Sequence, residues 1–290
     1  MEKMQSRPDW VGLFESILVR PGILGDHYAA FHRYSLGNQA LAVEQLMARG
    51  LEVSPIASFN AWKEKGRCVR KGQKAIALYM PVSIKARSAA AEEGDSEKGA
   101  PSSEASSDRP AQRRVFMLKN NWFAHSQTDA DPGAEPSEPE PLPHISWDKD
   151  KALETLGIRE ESFSHVDGNI QGYAYTKLGK IAVNPMAGLP HKTRFHEIAH
   201  CILHGNEEVE MVDGASLIKC IKEAEAEATA YLCCAALNLG GLECARGYIQ
   251  NWLSSDSSRE LFKKSASRVF SAADKILKAG IPNQALATAA

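Results

Sequence analysis

Two stretches rich in Pro, Ser, Glu and Ala set the limits on how this chain of 290 residues can fold. They occupy residues 88–111 and 129–145, and neither holds enough apolar surface to offset the entropy lost on ordering. We therefore predict two α+β domains, at residues 1–128 and 146–290. The stretch at 88–111 is then an insertion in the first domain, and the stretch at 129–145 is the linker.

Composition narrows the class further. The chain is 43% hydrophobic and 24% charged, which excludes collagen-like and wholly disordered proteins. No apolar run approaches the ~20 residues that span a bilayer, and the opening residues lack the apolar core of a secretory signal. We expect a cytoplasmic protein with no membrane partner. The six cysteines form no CxxC pair, which predicts reduced and mostly buried thiols.

Hydrophobic spacing gives a coarse secondary structure. For the first domain it predicts helices at 10–18 and 34–49, a short helix from Ser58, two strands joined by a turn at Lys71-Gly72, and a strand within 113–128. For the second domain it predicts a helix at 147–156, a hairpin around Leu178-Gly179, and helices at 193–204, 216–239, 242–253 and 258–277. The strand just before the first of these four helices, Lys180 to Asn184, is predicted to be an edge strand.

The motif that carries chemistry is HExxH, at residues 196–200 within FHEIAHCILHG. On a helix, His196 and His200 lie one turn and ~6 Å apart on the same face, so both imidazoles can bind one metal ion. Glu197 can then act as general base toward a water on that metal. The apolar residues around the motif are typical of a core helix that presents one polar stripe to a cleft. The expected metal is Zn²⁺, with another divalent ion such as Mn²⁺ as an alternative.

A third ligand must come from elsewhere. His204 lies ~12 Å along the helix axis from His196, too far to bind the same ion, and is expected to support a ligand or the core. The downstream helix KEAEAEATAYL offers Glu223 and Glu227 on one face, while Glu225 points away. Glu223 is the first choice, and Glu227 is either the alternative ligand or a carboxylate that supports one.

A basic segment in the first domain suggests nucleic-acid binding. Its cations could neutralise phosphates and its aromatic rings could stack on bases. The candidate residues are Phe59, Trp62, Lys63, Arg67, Arg70, Lys71 and Lys74. The same composition also fits a solvated basic hairpin with Trp62 in the core.

Both halves of the chain resemble the ArdC-type antirestriction proteins. In the second half the resemblance lies in VNPMAGLPHKTRFHEIAHCILHG, KEAEAEATAYL and GYIQNWL. In the first half it lies in YSLGNQALAVEQL, FNAWKEKGRCVRKGQKAI and FAHSQT. The spacer between Trp62 and the following GxxVxKG element is shorter here than the family's, and KGQK replaces the common KGEK.

The resemblance implies a single-stranded-DNA-binding domain joined to a zincin-like, gluzincin-type metallopeptidase domain. It adds Tyr34 and Asn38 to the DNA-binding candidates, and it favours Glu223 over Glu227 as the third ligand. The implied partners are single-stranded DNA and a protein or peptide substrate. The rival hypothesis is a DNA-binding shield whose metal site is structural or vestigial.

Overall fold

A computed structural model describes residues 9–20, 22–85, 112–133, 145–165, 169–205 and 215–281. The predicted insertion at 88–111 and most of the predicted linker lie outside these ranges. In the first half the elements are α1 (Trp10–Val19), α2 (Gly25–Phe31), α3 (Leu36–Ala48), β1 (Ile56–Ser58), α4 (Phe59–Glu64), β2 (Arg67–Val69), β3 (Ile76–Lys85), β4 (Gln112–Ala124) and β5 (Thr128–Ala130). In the second half they are α5 (Lys149–Leu156), β6 (Arg159–Glu160), β7 (Gly172–Tyr175), β8 (Lys180–Val183), α6 (Pro190–His204), α7 (Ala215–Ala236), α8 (Leu242–Leu253) and α9 (Asp256–Gly280).

Most of these elements were predictable, because their apolar spacing is regular. The structure confirms the α+β class and the helix α8, and it places α1, α3, α5, α6, α7 and α9 within a few residues of the predicted ends. Helix α3 is capped at its start by the Ser35 side chain and ends before Gly50, whose positive φ of 64° suits glycine. The short helix α2 was not predicted.

The first three-stranded sheet has the order β1-β4-β3, with all pairs antiparallel. The predicted strand at 113–128 forms β4, which lies in the middle of this sheet. The strands β2 and β3 follow each other around the Lys71-Gly72 turn without pairing, because β2 pairs with β5 instead. The core beneath the sheet consists of apolar side chains from α3, β3 and β4, among them Val43, Leu46 and Leu78.

The outer edge of β3 is closed by two side-chain amides of α3. The Asn38 amide donates to the Tyr79 carbonyl oxygen at 3.0 Å and accepts from the Tyr79 N–H at 2.8 Å. The Gln45 amide makes the same pair of bonds with Ala77, both at 2.9 Å. Two residues beyond Tyr79 the edge carries Pro81, which has no N–H to offer. From Ala77 to Pro81, this edge therefore has little left with which to pair another strand.

We expect Asn38→Asp to lower the free energy of unfolding by about 1–3 kcal/mol, because an ionised aspartate cannot donate to the Tyr79 carbonyl. The side chain is only 8% exposed, so water cannot replace the lost bond freely. Urea denaturation of the full chain measures this change. The matched control is Asn60→Asp, the same change at an exposed position, which should stay within about 0.5 kcal/mol of wild type.

One hydrophobic core contains residues from both ends of the chain. Phe14 of α1 is fully buried, with its ring centroid 5.3 Å from Phe262 of α9 and 6.2 Å from Tyr231 of α7. The Leu36 N–H also donates to the carboxylate of Asp274 on α9 at 2.9 Å. Helix α1 and the first residue of α3 are thus packed against the helices of the second half.

The second three-stranded sheet has the order β6-β8-β7. Strand β8 pairs with β6 in parallel and with β7 in antiparallel fashion, so it is central. The prediction that Lys180 to Asn184 is an edge strand is therefore wrong. The two-residue strand β6, which pairs with the other side of β8, was not predicted.

The cysteines follow the prediction only in part. All six are free, but only Cys233 and Cys234 are buried. The predicted burial is wrong for Cys68, Cys220 and Cys244, which are exposed on the outward faces of β2, α7 and α8. Within the described ranges, no helix has the length and apolar character that a membrane span requires.

Candidate metal centre and nucleic-acid interface

Helix α6 presents the HExxH residues to a cleft because its other face is held in the core. Phe195, Ile198 and Ala199 are completely buried, which fixes the rotation of the helix. Helix α7 packs beside it, and four alanines of α7 are at most 1% exposed, namely Ala224, Ala226, Ala228 and Ala230. This close packing brings the short side chain of Glu223 to the two histidines.

Three potential ligand atoms converge at one point. The Nε2 atoms of His196 and His200 lie 3.1 Å apart, and the Glu223 Oε2 atom lies 3.3 Å from the first and 3.6 Å from the second. Ligands bound tetrahedrally at 2.0–2.1 Å from a zinc ion are separated by about 3.3–3.4 Å. Two imidazole nitrogens and one carboxylate oxygen also form a donor set that suits Zn²⁺ or Mn²⁺. The three residues therefore fit a divalent metal, and the role of Glu223 as its third ligand stays a prediction.

Glu227 lies on the far side of His196 from the convergence point. Its Oε2 atom is 3.2 Å from Nδ1 of His196, the nitrogen that faces away from the convergence point. Its other oxygen forms an ion pair of 2.6 Å with Lys192. This arrangement holds the His196 ring with Nε2 directed at the other two donors.

Glu197 lines the same cleft as the three converging residues and is not one of them. Its side chain reaches the edge strand β7, where a Cβ atom added to Gly172 would lie 2.9 Å from the Glu197 Oε1 atom. Only glycine leaves room for this contact. The cleft formed here has a volume of about 370 Å³ and is lined by Gly172, Tyr173, Ala174, Thr176, His196, Glu197, His200 and Glu223.

Burial and charge shift the ionisation of these groups in different directions. Burial raises the pKa of Glu197, which favours proton uptake by this carboxylate. Burial also lowers the pKa of His196, but hydrogen bonds to Glu223 and Glu227 outweigh it and raise that pKa to about 9. The two histidines hold the pKa of Glu223 well below its usual range.

The structure separates the DNA-binding candidates into buried and exposed residues. Trp62 is 5% exposed and its indole N–H donates to the Phe123 carbonyl at 2.7 Å. No ring face is left for a base, so the prediction that Trp62 stacks on DNA is wrong and Trp62 is a core residue. The Asn38 amide is likewise unavailable to DNA, because it is hydrogen-bonded to the backbone of Tyr79 in β3. Tyr34 is half-buried, and its hydroxyl donates to the Ile56 carbonyl.

Two predicted phosphate contacts are engaged within the protein. The Arg67 guanidinium donates to the Thr128 hydroxyl and carbonyl at 2.8 and 3.1 Å. Arg70 donates to the Ser126 carbonyl and forms an ion pair of 3.2 Å with Asp129. Both arginines hold β2 against β5 and the chain leading into it. The other candidates are exposed: Phe59, at 50%, with Lys63, Lys71 and Lys74.

Sequence reasoning missed two parts of the site. One is the place of β7, the first strand of the predicted hairpin, at the border of the cleft, and the other is the contact of His204 with Glu225. A signal existed for each. Gly172 opens an alternating segment, GYAY, and His204 follows His200 at the same four-residue spacing that joins His200 to His196.

Together, the fold and the site define a class: a small α+β unit packed against a helical unit that presents HExxH and a glutamate as potential metal ligands. Residues 10–122 match the N-terminal domain of anti-restriction factor ArdC. The match to the ArdC family therefore covers this domain, and the rest of the chain lies outside it.

Solved structures show the same likeness. A Mn(II)-bound crystal structure of the antirestriction protein ArdC from plasmid R388 is 18% identical, with a TM-score of 0.51, and the match covers 94% of this chain and 98% of that one. The metal-free structure of the same protein gives a TM-score of 0.48 at 18% identity, over 93% and 94% of the two chains. No curated protein sequence matches the chain.

Proposed function

We propose that this chain is an antirestriction protein that binds single-stranded DNA and carries a divalent-metal peptidase site. The observation that supports the enzymatic part is the convergence of His196, His200 and Glu223, with Glu197 beside them. The R388 ArdC protein, which has a similar fold, was crystallised with Mn(II) bound. This supports a divalent ion as the metal of the present site. We retain Zn²⁺ as the expected ion, with Mn²⁺ as the alternative.

In this proposal His196, His200 and Glu223 would hold the ion, and the chemistry that it would supply is polarisation of a peptide carbonyl and acidification of a water molecule. Glu197 accepts the proton of that water, and its raised pKa suits this step. The same carboxyl group then delivers the proton to the leaving amine. Glu227 and Lys192 keep the His196 ring in place throughout.

Strand β7 supports a peptide as the substrate. The Asn184 N–H donates to the Gln171 carbonyl, so the backbone of Gln171 faces β8 and that of Gly172 and Ala174 faces away. An extended peptide can pair with this outward edge as an additional strand. The carbonyl groups of the bound peptide would then lie close to His196, His200 and Glu223, which line the same cleft as β7.

A comparison of wild type with Glu197→Gln tests the peptidase proposal against its rival. The rival is a DNA-binding shield that blocks restriction by occupying DNA. If proteolysis underlies antirestriction, Glu197→Gln should lose both activities while it retains metal and DNA binding. Equal antirestriction by the two proteins would favour the shield.

For DNA binding, the exposed Lys71 and Lys74 should provide phosphate contacts. We expect Lys71→Ala and Lys74→Ala each to reduce the slope of log affinity against log salt by roughly 0.7 in the full chain, measured with oligo-dT by fluorescence anisotropy. Lys263→Ala on α9, an exposed lysine of the second half, is the matched control and should leave the slope unchanged. An unaltered slope in both test variants would mean that Lys71 and Lys74 do not contact DNA phosphates.

Phe59 is the remaining candidate for base stacking. Its ring is half exposed and is supported from one side by Phe123, at a centroid distance of 6.3 Å. Phe59→Ala should weaken oligo-dT binding by about 1–3 kcal/mol with little loss of stability. Phe59→Tyr keeps a ring face and should bind as wild type does. Equal weakening by both variants would contradict stacking.

A further inference from the structure

Beyond the proposed ligands, a chain of two buried polar side chains leads away from His200. His204 lies one turn further along α6 and is 5% exposed, with its Nδ1 atom 3.2 Å from Nδ1 of His200. Glu225 of α7 is 4% exposed, and its Oε2 atom lies 2.8 Å from Nε2 of His204. The His200 Nε2 atom, at the other end, faces the convergence point.

The positions of the protons in this chain follow from its last member. A carboxylate can only accept, so the Nε2 atom of His204 must donate to Glu225. A neutral His204 then has a lone pair on Nδ1 and accepts from the Nδ1–H group of His200. The lone pair of His200 therefore lies on Nε2, the atom that faces His196 and Glu223. The reverse assignment would place a proton on that atom.

We propose that His204 and Glu225 form a positioning relay, which sets the tautomer and ring orientation of His200 so that Nε2 is ready to bind a divalent metal. The inference rests on the metal site proposed above. His196 has a separate support in Glu227, so each ligand histidine has a partner of its own at Nδ1. Such partners typically change metal affinity 10–100-fold when they are removed.

Hydrogen bonds from neighbouring side chains hold the backbone near His204 and Glu225 in place. Arg268 of α9 donates to the Leu203 carbonyl at 2.8 Å, which ties the end of α6 to α9. The Thr229 hydroxyl donates to the Glu225 carbonyl at 2.8 Å and is fully buried. Neither His204 nor Glu225 reaches the cleft, so both act through His200.

The test measures Zn²⁺ and Mn²⁺ affinity of the full-length protein by competition with a chelator. His204→Leu should weaken binding 10–100-fold, because the Nδ1–H group of His200 loses its acceptor. His204→Gln, whose amide oxygen can accept that bond, should recover part of the loss. The matched control is Glu243→Gln, an exposed glutamate on α8, which should bind as wild type does.

A second measurement does not depend on activity, and its main result comes from the wild-type protein. In protein labelled with ¹⁵N in its histidine rings and loaded with Zn²⁺, NMR should show His204 protonated at Nε2 and His200 protonated at Nδ1. In Glu225→Gln, which preserves volume, His204 should lose its strict preference for the Nε2–H form.

The outcomes separate the relay from the metal site itself. If wild type binds neither ion, the proposed metal site is wrong. If wild type binds and folded His204→Leu binds within twofold of it, the relay alone is overturned. A His204 protonated at Nδ1 in wild type also overturns the relay, whether or not His204→Leu folds.

Discussion

Replacing His196 or His200 by alanine should abolish stoichiometric binding of Zn²⁺ or Mn²⁺, whereas Glu197→Gln should bind the ion fully and lose hydrolysis. The reason is geometric: each histidine supplies one of three converging atoms, while Glu197 lies beside them. Loss of the general base should lower the rate of any peptide cleavage by about 10²–10⁴-fold. Metal content of the purified variants and cleavage of an unfolded protein substrate, such as denatured casein, measure the two effects.

Variants of the glutamates on α7 test which of them binds the metal. Glu223→Gln should weaken metal binding most among the glutamates of α7, because Glu223 lies 3.3 Å from the Nε2 atom of His196. Glu227→Gln should have a smaller effect, since it acts through the opposite nitrogen of that ring. Loss of metal in Glu197→Gln, or a larger loss in Glu227→Gln than in Glu223→Gln, would contradict the assignment.

Phe14→Ala should destabilise the whole protein by about 3–5 kcal/mol, the usual cost of removing a fully buried aromatic ring. Phe14 is 0% exposed and contacts rings of α7 and α9, so its loss leaves a cavity between the two halves of the chain. Chemical denaturation monitored by circular dichroism measures the change. Because Tyr231 lies on the helix that carries Glu223, metal binding should also weaken as the fold loosens.

Val19→Ala provides the matched control for this prediction. Val19 is the last residue of the same helix and is 68% exposed, so its truncation should cost at most about 0.5 kcal/mol. Similar losses in both variants would mean that α1 contributes through its helix alone. A small loss in Phe14→Ala would mean that α1 does not pack against α9 in solution.

Sequence predicted the helices well because each has one buried face and therefore a regular period. It also identified His196, Glu197, His200 and Glu223 as a group, since spacing along two helices determines which side chains share a face. Only part of the relay through His204 could be predicted from the sequence. Helical geometry correctly placed His204 too far from His196 to share its ion, but it could not show that Glu225 faces His204 from the neighbouring helix.

The sheet residues were harder to predict because their roles depend on partners distant in sequence. Asn38 and Trp62 resemble exposed binding residues when they are considered alone. Asn38 instead pairs with backbone 41 residues away, and Trp62 donates to a carbonyl 61 residues away. The central position of β8 has the same cause, since β6 lies about 20 residues upstream of it.

The closed edge of β3 has a consequence for which polymers the protein can take up. A flexible polypeptide is recognised largely through its backbone N–H and C=O groups, and along β3 those of Ala77 and Tyr79 are already bonded to α3. The opposite edge of that sheet, β1, is three residues long and leads directly into α4. Nucleic acid needs no such backbone groups, because it is bound through phosphates and bases. In the function proposed above, the first sheet would therefore offer a polypeptide fewer backbone partners than it offers DNA phosphate contacts, and we expect a polypeptide at β7, beside the proposed metal ligands.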